Sequence, residues 1–350
     1  MKKLINIVFL ILAVGSGCNQ KKTTDQALLT SIIFDTDLGG DVDDAGALGL
    51  LNELANRKEC TLLAVMPTSD DQNVFRCIDA INTHYGRPDV PIGIRKSGEL
   101  TNLNTYAKYV AERWPNDVNP NTLPQCTSLY RKLLSGQPDH SIVVIVVGQW
   151  QNIYELFHTG GDSYSSLNGI DLFNKKVKYV AAMSGAFPGD SSFSENNIQG
   201  IIDNESIAKY SIDRITGLIE FSGYEIGISI KCGSGLNSLV GQSPVADAYY
   251  GFACVWMPWW SNKGENLASI PDWATFDQTA VLYAVRGLSD YWTEQTIGSC
   301  DIWTDNGKTH NKWVSNPDKD QAYLILTKPK NEMADIIFEL MIKKTAISGK

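Results

Sequence analysis

Residues 32–48 read IIFDTDLGGDVDDAGAL, so five Asp residues (Asp35, Asp37, Asp41, Asp43 and Asp44) fall within ten positions between an apolar, β-rich run and a helix-like stretch. Few folds can absorb such crowding. Packed carboxylates raise one another's pKa unless a cation compensates them, and an all-oxygen donor set suits Ca²⁺ or Mg²⁺ rather than zinc or copper. Capping and the helix dipole account for one or two Asp residues at a helix start, but not for five. Gly39 and Gly40 permit the tight turn that would wrap this loop around an ion. The first expectation is therefore a cation site at a strand-to-helix junction.

The rest of the chain supplies a setting for that junction. Ile32 to Phe34, Thr61 to Met66, Ile142 to Val147 and Val177 to Ala182 are β-rich and almost wholly apolar, as strands buried on both faces are. Between them, Ala47, Leu48, Leu51, Leu54 and Ala55 share one helical stripe, and Asp71 to Tyr85 reads as a second helix. This alternation predicts an α/β fold: a mostly parallel, Rossmann-like central sheet with helices on both faces and ligands at the carboxyl ends of the strands. Apolar residues at 43% and charged residues at 20% suit a folded protein. Thirty Lys plus Arg against 39 Asp plus Glu give a net charge of −9, which argues against a nucleic-acid polymer as partner. A small molecule is the expected partner.

Lys2 and Lys3 followed by the apolar run Ile5 to Val14 have the anatomy of a secretory signal, with too few apolar residues for a stable membrane-spanning helix. Gly15, Ser16 and Gly17 run into Cys18 and resemble a bacterial lipoprotein cleavage site, in which Cys18 would carry the lipid. The expected layout is a signal peptide over 1–17, a lipidated Cys and tether over 18–30, and one α/β domain over 31–350. The location implied is export, with a lipid anchor on a bacterial membrane or a periplasmic residence. A plain signal peptide cut nearby is the simpler alternative. Lipidation of Cys18 would leave six of the seven cysteines, widely spaced and without a CxxC pair, and most are expected as small buried hydrophobes rather than zinc ligands.

The segment FDTDLGGDVDDA resembles the N-terminal signature of the inosine–uridine-preferring nucleoside hydrolases, DxDxGxDDA, in a longer form with two extra residues before the Asp pair. The resemblance implies Ca²⁺ as cofactor, with Asp37 as a calcium ligand and as general base on a metal-bound water. Asp44 would be a second ligand, Asp41 or Asp43 would hold the ribose 2′- and 3′-hydroxyls, and Asp35 would orient the loop from behind. HYGRPDVPIGI, from His84 to Ile94, is similar to the segment after the family's second helix. VVGQWQNI is similar to its GPLTN element, which puts a calcium-binding carbonyl at Gln151. MSGAF with Ser194 to Ile198 resembles the ribose-binding ExN element, assigning Glu195 and Asn197 to substrate. FDQTAVLYAVRG resembles the Asp-bearing helix start near the C-terminus, making Asp277 the distant calcium ligand.

One position departs from that pattern. Phe276 stands where well-studied members carry a His that protonates the leaving base, and His84, His140, His158 and His310 fall in no matching motif. Help for the leaving group is then expected from another acid, a water, or stacking on the aromatic run Tyr249 to Trp260 with Trp273. The function implied is calcium-dependent hydrolysis of ribonucleosides to ribose and base, in purine or pyrimidine salvage, by a chain that could form a homo-oligomer as family members commonly do. Two rivals remain. A haloacid dehalogenase-type phosphatase also opens with a strand and DxD, but it usually has Thr or Val where Gly39 stands, and it leaves the other motifs unexplained. A calcium-dependent nucleoside- or sugar-binding lipoprotein without turnover would keep all of them.

Overall fold

The computed structural model describes residues 29–95, 100–190, 192–199, 205–256, 266–316 and 318–342. The expected signal segment and Cys18 lie outside the described residues. The four strands anticipated from apolar runs form as β1 (Thr30–Thr36), β2 (Cys60–Pro67), β3 (Ile142–Val146) and β4 (Val177–Met183). Further along come β5 (Leu218–Ser222), β6 (Lys231–Cys232), β7 (Trp273–Ala274), β8 (Trp292–Gln295), β9 (Ser299–Asp305), β10 (Lys308–Val314) and β11 (Gln321–Leu326). Seven of them build one sheet in the order β2-β1-β3-β4-β5-β11-β8, parallel throughout except for β8, which runs antiparallel to β11. The fold is thus the expected α/β class with a mostly parallel central sheet.

Period-two alternation splits the strands between two cores. Ile32 and Phe34 of β1, with Val143 and Ile145 of β3, face the helices Asp43–Asn56, Gln72–His84 and Phe276–Arg286. Ile33 of β1, with Val144 and Val146 of β3, faces the helices Cys126–Ser135, Gln151–Phe157 and Gly169–Lys176. Helices therefore cover both faces, which is why these strands carry no polar alternation.

The helix Asp43–Asn56 differs from the single stripe anticipated for it, because every residue from Asp43 to Ala55 is buried. Its glycines permit this. A Cβ on Gly46 would stand 2.4 Å from the Gln278 amide nitrogen, and one on Gly49 would stand 2.7 Å from Val245. The helix is wedged among its neighbours rather than laid upon a surface.

β1 lies between β2 on one side and β3 on the other, so the strand order reverses there. A crevice opens above the carboxyl ends of strands at such a switch point. β9 and β10 form a separate antiparallel ribbon whose tight turn uses Asn306 (φ 51°) and Gly307 (φ 74°). Six cysteines in the described residues are free, and all but Cys254 are buried. Among the described residues, no helix is long and apolar enough to cross a membrane.

Candidate active site

The acidic loop leaves β1 at this crevice. Asp35 sits within the strand, wholly buried on the face of the helix Cys126–Ser135, where it accepts from the Tyr130 hydroxyl at 2.7 Å and from the Asn152 amide at 3.1 Å. Burial outweighs both bonds and pushes its carboxyl up to about 8, and from this buried position Asp35 props the loop from behind. Thr36 ties the strand end to the helix start, its hydroxyl donating to Asp44 and accepting from the Leu38 N–H. The Tyr106 hydroxyl spans the turn between them, accepting from the Gly39 N–H and donating to the Asp41 carbonyl, both at 2.9 Å.

Above the loop is a cavity of about 620 Å³. Its walls include six carboxyl side chains (Asp37, Asp41, Asp43, Asp44, Glu195 and Asp277) and, among the described residues, no Lys, Arg or His. Carboxylate oxygens of Asp43, Asp44 and Asp277 lie within 4.8 Å of one another, although Asp277 is more than 230 residues further along the chain. The Asp277 N–H donates to Asp43 at 3.0 Å and locks the two helix starts together.

Burial raises every one of these groups. Asp37 is pushed up to about 7, with the Glu195 and Asp41 charges adding to the effect. Asp41 reaches about 6, restrained by N–H donors from Val42 and Trp273. Asp43, Asp44 and Asp277 rise well above the usual carboxylate range, through burial first and neighbouring carboxylates second. A buried, all-oxygen donor set with no counter-charge fits a hard divalent cation such as calcium.

The expected site residues divide in this geometry. Asp37, Asp41, Asp43, Asp44, Glu195, Asn197 and Asp277 share the cavity. Gln151 does not. It opens the helix Gln151–Phe157, so its carbonyl points down that helix, its side chain bonds Glu155 at 3.0 Å, and it lines the adjoining cavity. The β3 end reaches the acidic cavity through Val147 and Gln149 instead.

Glu195 and Asn197 are also tied inward. Glu195 accepts N–H bonds from Gly185, Asn197 and Ile198, capping the turn that follows it, and burial still pushes it up to about 7. The Asn197 amide nitrogen donates to the Val147 carbonyl at 2.7 Å and the Met183 carbonyl at 3.0 Å, clasping the ends of β3 and β4. Only its amide oxygen remains for a ligand.

The aromatic wall differs from expectation as well. Tyr249 is buried beneath the site with its hydroxyl at Gln278, while Trp273 packs edge-on to Phe252 at 5.6 Å and donates its indole N–H to Asp41 at 2.8 Å. Residues 257–260 of that run lie outside the described residues. Among the described residues, the rings that line the cavity are Phe193, Tyr224 and Phe276, with Tyr224 stacked on Phe276 at 5.2 Å and against Phe193 at 4.4 Å. Local sequence gives no signal for Phe193 and Tyr224, because loops after β4 and β5 bring them together.

Gly148 is another residue that pattern reading misses. A Cβ there would fall 2.5 Å from the Asp37 nitrogen and 2.8 Å from the Thr36 carbonyl carbon, so the close approach of β3 to the loop requires glycine.

No family model matches this chain, and no curated protein is similar to it in sequence. Solved structures do share its fold. A plant nucleoside hydrolase, the PpNRh1 enzyme, superposes with a TM-score of 0.60 at 16% identity, covering 89% of this chain and 98% of its own. The effector protein XOO4466 gives 0.59 at 12% identity, over 90% of this chain and 93% of its own. The type III effector XopQ, in complex with adenosine diphosphate ribose, gives 0.59 at 12% identity, over 91% and 94%. The chain has the nucleoside hydrolase-type fold.

Proposed function

We propose that this chain hydrolyses the N-glycosidic bond of ribonucleosides, releasing ribose and free base, with calcium held by Asp43, Asp44 and Asp277 and with Asp37 at the edge of that group. The observation that carries the reading is the cavity itself: six carboxyls, of which Asp43, Asp44, Glu195 and Asp277 are buried, with no basic partner among the described residues, at the strand-order switch and facing an aromatic wall. Bound calcium would neutralise the carboxylates, hold the ribose diol and fix a water.

The chain's own groups supply the remaining chemistry. Asp37, at the edge of the carboxyl cluster and lining the cavity, takes a proton from the attacking water. Asp41 and Asp43 accept hydrogen bonds from ribose hydroxyls, and the surrounding carboxylates favour the positive charge that develops on the ring. Phe276 and Tyr224 receive the departing base by stacking, since no imidazole lines the cavity. The same reading keeps inosine- and uridine-type substrates, a role in base salvage, and an exported protein anchored through Cys18.

A second reading, a calcium-dependent nucleoside- or sugar-binding lipoprotein without turnover, draws on Phe276 in place of an acid and on the adenosine diphosphate ribose carried by XopQ. One assay separates the two. Purified mature protein is given a panel of purine and pyrimidine nucleosides, with calcium and after chelation, and reducing ribose is measured. Calcium-dependent release establishes the hydrolase. Folded, calcium-loaded protein that binds nucleoside but releases no ribose establishes the binder.

A further inference from the structure

A second cavity of about 370 Å³ adjoins the acidic one and shares Asp37, Gly40 and Gln149 with it. The two lie along the carboxyl edge of the sheet in strand order. The annex draws Thr68 and Ser69 from the end of β2, the carboxyl cluster stands over β1 and β3, and in the aromatic wall Phe193 and Tyr224 follow β4 and β5, with Phe276 stacked on Tyr224. Asp37 is therefore flanked by the aromatic wall on one side and by the annex on the other.

If the base departs onto Phe276 and Tyr224, as the proposed function has it, a nucleophile displacing it at C1′ arrives from the opposite side, past Asp37. The annex is on that side, and it is far larger than one water requires, about 30 Å³. Its lining is amphiphilic. Leu38, Val74, Leu103 and Trp256 give apolar surface, and Thr68, Ser69 and Gln149 give neutral polar groups. Its one basic side chain among the described residues, Arg95, is compensated by Glu155 at 2.8 Å. A neutral hydroxyl compound suits these walls better than a phosphate.

We infer that the annex is an acceptor site for a small neutral alcohol or polyol, and that the enzyme transfers ribose to that acceptor in competition with water. The reaction balances as nucleoside plus ROH giving O-riboside plus free base. The acceptor O–H proton passes to Asp37, its oxygen bonds C1′, and the C1′–N bond breaks with its electron pair leaving on the base, which takes up one proton. No oxidant or further reactant is needed.

The test uses whichever of adenosine, inosine, uridine or cytidine is turned over, with glycerol as acceptor, and measures base, ribose and ribosyl glycerol together. An occupied site makes the ratio of riboside to ribose rise and then saturate with glycerol. Leu103→Trp, which fills the annex, should lower that ratio at least tenfold. Trp256→Ala, which strips one wall, should raise the half-saturating glycerol concentration. Base release matched by ribose alone at every glycerol concentration overturns the proposal. So does a riboside fraction that climbs linearly and is unchanged in both variants, since that is trapping by bulk solvent. No base release at all, from folded calcium-loaded protein, removes the hydrolase reading and the transfer with it, and the base measurement distinguishes that failure from the others.

Discussion

Replacing Gly148 with alanine would put a methyl group where three fixed atoms already stand. It would lie 2.5 Å from the Asp37 nitrogen, 2.8 Å from the Thr36 carbonyl carbon and 3.0 Å from the Asp37 Cβ. None of these can swing away by a rotamer change. Ordinary contact begins near 3.4 Å, so the end of β3 and the loop after β1 must part. A parting of roughly 0.9 Å is close to the scale at which misplacing a catalytic group costs about 100-fold in rate. That factor is about 2.7 kcal/mol of barrier. The strain should also cost about 1–3 kcal/mol of stability, as overpacking in cores does.

The assay compares kcat/KM for base release, the calcium dissociation constant and Tm between Gly148→Ala and wild type. Gly160→Ala is the control, since a Cβ there meets nothing within 4 Å. A Gly148→Ala protein with wild-type kcat/KM and calcium affinity would refute the idea that this glycine sets the position of Asp37.

Asp37→Asn should retain the fold and lose most turnover, and wild-type-like base release from that variant removes Asp37 from the mechanism. Trp273→Phe keeps the ring but deletes the N–H donated to Asp41. Loss of a hydrogen bond to a charged group costs about 1.5–3 kcal/mol, so kcat/KM should fall by roughly ten- to a hundredfold with little change in the circular dichroism spectrum; unchanged kinetics would sever Trp273 from the site. The pH dependence of the metal-free protein has a definite sign. Asp37 at about 7, Asp41 at about 6 and Glu195 at about 7 hold protons in the folded state that the unfolded chain releases near 4, so stability falls as pH rises through that window. In chelator, Tm should therefore be higher at pH 5 than at pH 7.5, and calcium should raise it most at pH 7.5; a chelated protein that gains stability over that range contradicts the burial of these acids.

How much of this was legible depended on how local each signal is. β1 to β4 show themselves because a strand covered on both faces is a short apolar run. β8 and β11 do not, since β8 is a four-residue antiparallel edge strand and β11 reaches its place beside β5 from the far end of the chain. The Asp cluster was readable because five members share one ten-residue stretch. Asp277 was reachable only through resemblance to a family. Trp273 pairs with Asp41 across 232 residues, and no window of sequence holds both. Gln151 falls in the adjoining cavity for a related reason: a motif aligned by its residues does not say how the helix start will orient its carbonyls.

The strand order has a consequence for how such a protein changes. The wall proposed to meet the leaving base comes from residues 193, 224 and 276, whereas the opposite flank of Asp37 comes from segments near 68 and 95. These are separate stretches of chain that meet, among the described residues, at Asp37, Gly40 and Gln149. Substitutions on the two flanks should thus combine nearly additively, as independent sites do. Selection, or an engineer, can retune what departs without disturbing what attacks, and each flank can drift at its own pace while the acidic centre stays fixed.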